Sequence, residues 1–238
     1  MVYNLIKSSS RGTFALLIDP DKYSQNEISK VTENANQCEV DLILLGGSLI
    51  KSSMENALSA IKSSTSIPVV LFPGNVFQLC PKADAILLLS LISGRNPEFL
   101  IGNHVVASYA IRDSGMEVIP TGYILIDSGL PTSVQYMSNT IPIPRNKTDI
   151  AIATALAGEQ LGLKAIYLEA GSGAKEPVPT NLISQVRSSI QLPIIVGGGL
   201  HTPQQILEVR NAGANMVVVG NAVEENPDLL CELVKASR

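Results

Sequence analysis

Short apolar runs recur along the chain, and most of them end in a polar or glycine-rich turn. Runs of this kind between turn signals are typical of strands buried on both faces, as in parallel sheets. Helical segments fill most of the intervals, and this alternation predicts a parallel α/β fold. The eight predicted strands are residues 13–18, 41–45, 67–72, 85–89, a segment within 117–127, 165–169, 194–196 and 216–219.

Eight strand–helix units in 238 residues suit a single (β/α)8 TIM barrel, a domain that spans residues 1–238. The hydrophobic content of 45% with only 4% aromatic residues fits an aliphatic core. A doubly wound open sheet is the alternative fold. It is less favoured because no Gly-x-Gly-x-x-Gly pattern follows the first strand.

Residues that cap helix N-termini precede several helical segments. Ser24 and Glu27 have the spacing of a capping box, and Thr202 with Gln205 repeats it. Asn-Pro pairs at 96–97 and 226–227 place proline at the first helical position. The helices predicted with both ends are residues 54–62, 98–113, 149–161 and 180–189.

The connection between the third and fourth strands is unusually short. Residues 73–84 number only about a dozen, close to the minimum of ~10–12 for a parallel crossover. We therefore expect the third barrel helix to be shortened or missing. Residues 128–146, which contain three prolines, are predicted to form a loop excursion over the top of the barrel.

Charge and hydropathy exclude some partners. A net charge of −4 and the lack of a basic run give no support for nucleic-acid binding. The longest apolar stretch, residues 85–92, is shorter than the ~20 residues that span a bilayer, and residues 1–12 are polar, without a secretory signal pattern. Cys38, Cys80 and Cys231 lack metal-ligand spacing, so we interpret them as reduced thiols of a cytoplasmic protein.

Glycines follow the last two strands, where TIM barrels often bind phosphate. Gly197-Gly198-Gly199 follows the seventh strand and Gly220-Asn221 the eighth. Glycine lets backbone N–H groups approach an anion closely. These two loops predict a phosphate site, and the alternative is that the glycines only form tight turns.

Glu169 ends the sixth strand at the same end of the barrel. A carboxylate there can accept a proton from a substrate hydroxyl. The alternative is a structural ion pair with Lys175. In the loop that follows, Ser172 and the amides of Gly171 and Gly173 are candidates to hold the ligand.

Asp19 and Ser48 end the first two strands, which are neighbours in a barrel. Magnesium accepts so few protein oxygens because it keeps waters and takes oxygens from substrate phosphates. We therefore predict a Mg²⁺ site, with a capped turn at residues 19–22 as the alternative. His104 is interpreted as structural, and His201 as at most a phosphate contact.

Taken together, the motifs of the chain resemble geranylgeranylglyceryl phosphate synthases and their bacterial heptaprenylglyceryl phosphate synthase-like relatives. The matching segments cover nearly the whole chain in the same order. They are residues 17–22, 46–48, 95–97, 101–104, 142–145, 167–173, 197–199 and 220–223.

The resemblance implies a cytoplasmic enzyme that joins a prenyl diphosphate to the sn-3 hydroxyl of sn-glycerol 1-phosphate. It implies that Asp19 and Ser48 bind Mg²⁺ and that Glu169 takes the hydroxyl proton; the ring of Tyr123 is placed to stabilise an allylic cation. The residues implied to hold glycerol phosphate are Tyr167, Leu168, Glu169, Ala170, Gly171, Ser172, Gly173, Gly198, Gly199, Gly220 and Asn221. The vacancy of the third barrel helix is the expected groove for the prenyl tail.

The chain departs from some members of that family at Leu17, where they carry a lysine. Leu17 and the loop after the sixth strand are similar to the second, largely archaeal-type subgroup, which implies a geranylgeranyl tail. Tyr136 leaves the expected homo-oligomer open between dimer and hexamer, and product release implies a peripheral membrane contact. Two other readings stay open: another phosphate-binding barrel enzyme, either an isomerase or a flavin enzyme, and a non-catalytic prenyl-phosphate or phospholipid binder.

Overall fold

The computed structural model describes residues 1–8 and 11–238, and in it eight parallel strands close into a barrel in sequence order. β1 pairs with both β2 and β8, so the sheet has no free edge. The predicted (β/α)8 barrel is confirmed, and the doubly wound alternative is wrong. The strands are β1 Thr13–Ile18, β2 Leu42–Leu45, β3 Val69–Leu71, β4 Ala85–Ser90, β5 Glu117–Leu125, β6 Ala165–Glu169, β7 Ile194–Gly197 and β8 Met216–Val219.

Helices cover the outside of the barrel, and both predicted capping boxes are present, at Ser24–Glu27 and Thr202–Gln205. A turn of π-helix at Glu98–Gly102 leads into α4. The helices are α1 Val2–Ser8, α2 Gln25–Gln37, α3 Met54–Ser64, α4 Asn103–Ser114, α5 Ser133–Ser138, α6 Thr148–Gln160, α7 Thr180–Ser189, α8 Pro203–Asn211, α9 Asn221–Glu225 and α10 Leu230–Ala236.

The predicted loss of a barrel helix between β3 and β4 is confirmed. A single 3₁₀ turn, Val76–Gln78, stands where the helix would lie. Its Asn75 side chain caps the turn by accepting the Phe77 amide at 3.0 Å. Even without a full helix, the outward-facing Val69 and Leu71 of β3 are fully buried, whereas Leu88 of β4 is only partly buried.

Three short helices were not predicted. The excursion after β5 contains α5, and Ile143 pairs with Ile126 as an isolated parallel bridge, so this segment is more ordered than a plain loop. α9 follows β8, and α1 lies ahead of β1. Of the stretch 1–12 that we interpreted from its polarity, Ser9 and Ser10 lie outside the described residues.

α1 closes the end of the barrel opposite the strand carboxyl ends. Its Val2 and Ile6 are buried in the hydrophobic cluster that fills the barrel interior. The backbone amides of Val2 and Tyr3 donate to the Glu117 carboxylate at 2.5 and 3.1 Å. A second, larger cluster lies between the strands and the helices.

The interpretation of all three cysteines as reduced thiols was wrong for two of them. Cys38, at the end of α2, forms a disulfide with Cys231 on α10, with their Cα atoms 4.6 Å apart. The two positions are 193 residues apart in sequence and come together only when the barrel closes. Cys80 is a buried free thiol. In residues 1–8 and 11–238, no helix has the length and apolarity needed to cross a membrane.

Candidate active site

The carboxyl ends of the strands surround a cleft with a volume of about 390 Å³. Most residues selected from the sequence line it, as do Leu17 and His201. The structure therefore brings together side chains from both halves of the chain. The predicted site residues that line the cleft are Asp19, Ser48, Tyr123, Tyr167, Glu169, Ser172, Gly198, Gly199, Gly220 and Asn221.

Four predicted residues, one on β6 and three in the loop that follows it, do not line the cleft. The side chains of Leu168 and Ala170 are buried in the layer between strands and helices, so only their backbone can face a ligand. The Gly171 amide donates to Glu169 Oε1 at 2.6 Å, and the Gly173 amide donates to Asn221 Oδ1 at 3.4 Å. Ligand contacts by these four residues stay a prediction.

Glu169 is the buried carboxylate of the site, with only 5% of its surface exposed. Burial raises the pKa of its carboxyl group to about 7, although hydrogen bonds from the Gly171 amide and from the Tyr167 and Tyr123 hydroxyls act in the opposite direction. In the described part of the chain, Glu169 has no ion-pair partner, so the structure does not show the alternative pairing with Lys175.

Three aromatic rings stack inside the barrel below this carboxylate. The ring centroids of Tyr123 and Tyr167 are 5.3 Å apart, and those of Phe72 and Tyr167 are 5.2 Å apart. Burial first, and the Glu169 charge second, raise the pKa values of both tyrosine hydroxyls, which stay protonated donors. Sequence reasoning missed Phe72, whose only signal was its place at the end of a predicted strand.

The triple glycine packs directly against this group. A side chain at Gly197 would collide with the Tyr167 hydroxyl, and one at Gly198 would collide with Glu169 Oε1. Gly198 also has a φ of +81°, which favours glycine. These glycines therefore have a packing role in addition to the predicted phosphate role.

Asn221 joins the loop after β8 to the loop after β6. Its Oδ1 accepts hydrogen bonds from Ser172 Oγ at 3.3 Å and from the Gly173 amide at 3.4 Å. Its Nδ2 donates to Glu224 Oε2 at 3.2 Å. Glu224 also lines the cleft, and sequence reasoning missed it because no strand end or motif marked it.

Asp19 and Ser48 face the cleft from neighbouring strand ends and could hold a small hard cation. Asp19 Oδ1 accepts the Asp21 amide at 3.0 Å, while Oδ2 lies beside Gly47, where a Cβ atom would be 3.1 Å from it. Burial raises the pKa of the Asp19 carboxyl group. Across residues 1–8 and 11–238, no cluster of three or more His, Cys, Asp or Glu residues forms a metal site.

This donor set fits magnesium, which takes few protein oxygens and completes its shell with water and phosphate. Asp21 has a different role. Its carboxylate accepts the backbone amides of Lys51 and Ser52 at 2.9 and 2.8 Å and so ties the two loops together. The capped turn considered as the alternative is also present, because Asp19 Oδ1 accepts the Asp21 amide and the Asp19 carbonyl accepts the Lys22 amide at 3.0 Å.

An apolar pocket of about 110 Å³ adjoins the cleft at the position of the missing helix. Phe72 and Tyr123 line both cavities, as do Gly47, Ser48 and Val134. His104 lies at the side of the pocket, where its Nε2 is 3.1 Å from Ser90 Oγ and burial lowers the pKa of the ring. The site thus combines a polar cleft with an apolar extension.

Comparison with known proteins identifies relatives of this chain. Residues 6–238 match the PcrB family. The chain belongs to the PcrB family. Within it, the chain is 49% identical to the geranylgeranylglyceryl phosphate synthase of Spirosoma linguale, over 98% of this chain and 94% of that protein. It is 41% identical to the enzyme of the same name from Korarchaeum cryptofilum, over 96% of this chain and 94% of that protein.

A solved structure of a similar protein has the same fold. The (S)-3-O-geranylgeranylglyceryl phosphate synthase of Thermoplasma acidophilum, in complex with its substrate sn-glycerol-1-phosphate, superposes with a TM-score of 0.93. The two are 33% identical, over 98% of this chain and 96% of that one. The family resemblance and the prenyltransferase class predicted from the sequence are confirmed.

Proposed function

We propose that the protein is a magnesium-dependent prenyltransferase that joins a prenyl diphosphate to the sn-3 hydroxyl of sn-glycerol 1-phosphate. The new bond links the hydroxyl oxygen to the allylic carbon, and the bond from that carbon to the diphosphate breaks. The products are an ether lipid precursor and diphosphate. Geranylgeranyl diphosphate is the proposed donor.

The observation that carries this proposal is the placement of Glu169 in the polar cleft, next to a residue that the cleft shares with the apolar pocket. Its hydrogen-bond partner Tyr123 lines both cavities. A substrate pair made of a small phosphate and a long hydrocarbon needs two such compartments with a base at the junction. The Thermoplasma acidophilum relative, solved with sn-glycerol-1-phosphate, supports the same assignment.

In this proposal the glycine loops at 197–199 and 220–221 hold the phosphate of glycerol phosphate through backbone N–H groups. That anchoring fixes the free hydroxyl beside Glu169, so attack becomes effectively unimolecular. Glu169 Oε2 or Oε1 accepts the hydroxyl proton as the carbon–oxygen bond forms. The ring of Tyr123 faces the developing allylic cation and stabilises it by cation–π attraction.

Asp19 and Ser48 would hold the magnesium ion. When bound there, the ion supplies neutralisation of the charge that develops on the leaving diphosphate. The prenyl tail would lie in the apolar pocket beside the Val76–Gln78 turn, between β3, β4 and α4. Leu17 itself supplies no charge to the cleft, so in this proposal the glycine loops carry the phosphate contact.

Assembly and location stay predictions alongside this function. We propose a cytoplasmic homo-oligomer, either a dimer or a hexamer. The exposed Tyr136, on α5 after β5, is the residue that leaves both assemblies open. A peripheral membrane contact would release the product. The exposed side chains of Leu49, beside the cleft, and Phe77, on the 3₁₀ turn, support such a contact.

Incubation of the purified protein with Mg²⁺, labelled sn-glycerol 1-phosphate and prenyl diphosphates of graded length tests the function. We expect an organic-soluble prenyl ether from the sn-1 isomer, little product from sn-glycerol 3-phosphate, and the highest rate with geranylgeranyl diphosphate. Glu169→Gln should lower the rate by about a hundredfold or more, because it removes the general base.

Two results would contradict the proposal. If no donor gives product although glycerol phosphate binds, the protein is a binder without turnover. If the protein is purified with a bound flavin or isomerises a sugar phosphate, it is a different phosphate-binding barrel enzyme and not a prenyltransferase.

A further inference from the structure

Glu224 on α9 is a carboxylate of the cleft that the proposed mechanism does not use. It is half-buried, and the neighbouring Asp19 charge is among the causes that raise its pKa, second to burial itself. Two carboxylates that face one cleft repel each other, which makes this an unfavourable place for a side chain with no role. Its Oε2 accepts a hydrogen bond from Asn221 Nδ2 at 3.2 Å.

The two ends of the Asn221 amide have partners that cannot be exchanged. The Gly173 N–H only donates, so it must face the amide oxygen. The ionised Glu224 carboxylate only accepts, so it must face the amide nitrogen. Ser172 Oγ can donate to the same oxygen that Gly173 contacts. Glu224 and the Gly173 N–H therefore stabilise the same orientation of the Asn221 amide, from its two ends.

The Asn221 side chain connects the segment after β8 to the loop after β6. Its oxygen receives both hydrogen bonds from the loop after β6, while its backbone begins α9, directly after β8 and Gly220. If the amide turned over, its NH₂ group would face the Gly173 N–H, and the hydrogen bond from Gly173 that helps to link the loops would be lost. The positions of the Gly171–Gly173 backbone and of the Gly220–Asn221 backbone would then vary independently.

We propose that Glu224 is a positioning residue for glycerol phosphate binding. It orients the Asn221 amide, and through Asn221 it holds the Ser172–Gly173 loop against the Gly220–Asn221 loop. This inference rests on the proposed function for the identity of the ligand, whereas the link between the loops does not depend on it. Glu224 does not contact the reacting atoms in this assignment.

Three variants test the assignment. Glu224→Ala removes the acceptor, Glu224→Gln keeps a carbonyl oxygen that can accept from Asn221, and Glu225→Ala changes the exposed neighbour on the same helix. Each is measured for KM and kcat with both substrates, for the Mg²⁺ concentration at half-maximal rate, and for hydrogen exchange of the 170–174 backbone. Thermal unfolding verifies that each variant is folded.

We expect Glu224→Ala to raise the KM for sn-glycerol 1-phosphate about tenfold, because a hydrogen bond to a charged group is lost. The KM for the prenyl diphosphate and the Mg²⁺ requirement should stay unchanged, and exchange at 170–174 should become faster. Glu224→Gln should restore the KM to within about twofold of the unchanged protein. Glu225→Ala should have no effect.

Other outcomes overturn the inference. An increased Mg²⁺ requirement in both Glu224 variants would place this carboxylate at the metal instead. An equal increase in the KM for sn-glycerol 1-phosphate in Glu224→Ala and Glu224→Gln would mean that the charge of Glu224, not its hydrogen bond, is needed. If the unchanged protein makes no prenyl ether, the proposed function fails, but unaltered exchange at 170–174 in Glu224→Ala is what would refute the loop link.

Discussion

At the scale of single residues, two opposing effects set the pKa of the Glu169 carboxyl group. Burial favours its protonated form and outweighs four hydrogen bonds that favour its charged form, so its pKa lies at about 7. A general base is most useful when its pKa lies near the working pH. The same packing that hides the carboxylate from water therefore prepares it for proton transfer.

The pH dependence of kcat/KM should follow this group. Because Glu169 must be ionised to accept a proton, the rate should fall about tenfold per pH unit below its pKa of about 7 and level off above it. A profile of kcat/KM between pH 5 and 9, with a buffer series of constant ionic strength, measures this. A flat profile through pH 6 would show that Glu169 does not act as the base.

Removing either tyrosine hydroxyl should move that profile. The hydrogen bonds from Tyr167 and Tyr123 lower the pKa of Glu169, with Tyr167 the larger contributor. Tyr167→Phe and Tyr123→Phe should each shift the midpoint to higher pH, and Tyr167→Phe should shift it further. The high-pH rate of Tyr123→Phe should be nearly retained because the ring remains.

Tyr123→Leu is the matched comparison for the ring itself. If the aromatic face stabilises an allylic cation, its loss should lower the plateau rate by about fivefold or more, which corresponds to ~1 kcal/mol of cation–π attraction. Equal plateau rates for Tyr123→Leu and Tyr123→Phe would rule out that role.

At the scale of elements, the missing helix between β3 and β4 leaves an apolar pocket rather than a packed interface. The floor of the pocket is α4, where Ala107 is buried and lines the pocket. The small side chain at this position leaves space that a larger one would fill. The pocket is therefore the place where tail length can be tested.

Ala107→Phe should shift the preferred donor to a shorter prenyl diphosphate, because the new ring occupies the pocket. Ala110→Phe is the matched control, since it makes the same change on the same helix at an exposed position. Competition between donors of different length, read by mass spectrometry of the products, measures the preference. An unchanged preference in Ala107→Phe would show that the tail lies elsewhere.

Element by element, local signals decided what could be predicted from the sequence. β6, α7 and β8 have the predicted bounds because apolar runs and turn residues mark both ends. The short helices α1, α5 and α9 were missed because so few residues carry little periodicity. The short β3–β4 connection was informative because its length alone ruled out a full helix.

Contacts between distant residues escaped prediction. The place of Phe72 beside Tyr167, the Ser172–Asn221 hydrogen bond and the Cys38–Cys231 disulfide have no local signature. Asp19, Ser48 and Glu169 were found because strand ends in a barrel converge at one face, which is a general property of the fold. Their partners depend on side-chain packing, which only the structure shows.

At the scale of the whole molecule, the barrel is closed twice. β1 pairs with β8 in the sheet, and the disulfide joins α2 to α10 on the outside of the same seam. Arg238 adds an ion pair with Asp41 at that seam. The first and last units of the barrel are thus tied together covalently as well as by hydrogen bonds.

Reduction of the disulfide should destabilise the fold without altering the cleft. A link that closes so long a loop stabilises by roughly 2–4 kcal/mol, so dithiothreitol should lower the melting temperature by about 5–15 °C. The double variant Cys38→Ser with Cys231→Ser should melt at the lower temperature with or without dithiothreitol. A melting temperature that dithiothreitol does not change would argue that the two thiols are unpaired in solution.

The disulfide also determines how the chain behaves once it is cut. A protease that cleaves a loop anywhere between residues 38 and 231 produces two pieces that remain joined through Cys38 and Cys231. Exposed loop tips, such as the excursion after β5, are the usual sites of such nicks. The nicked protein would keep its full mass on a non-reducing gel and separate into fragments only when a thiol reagent is added.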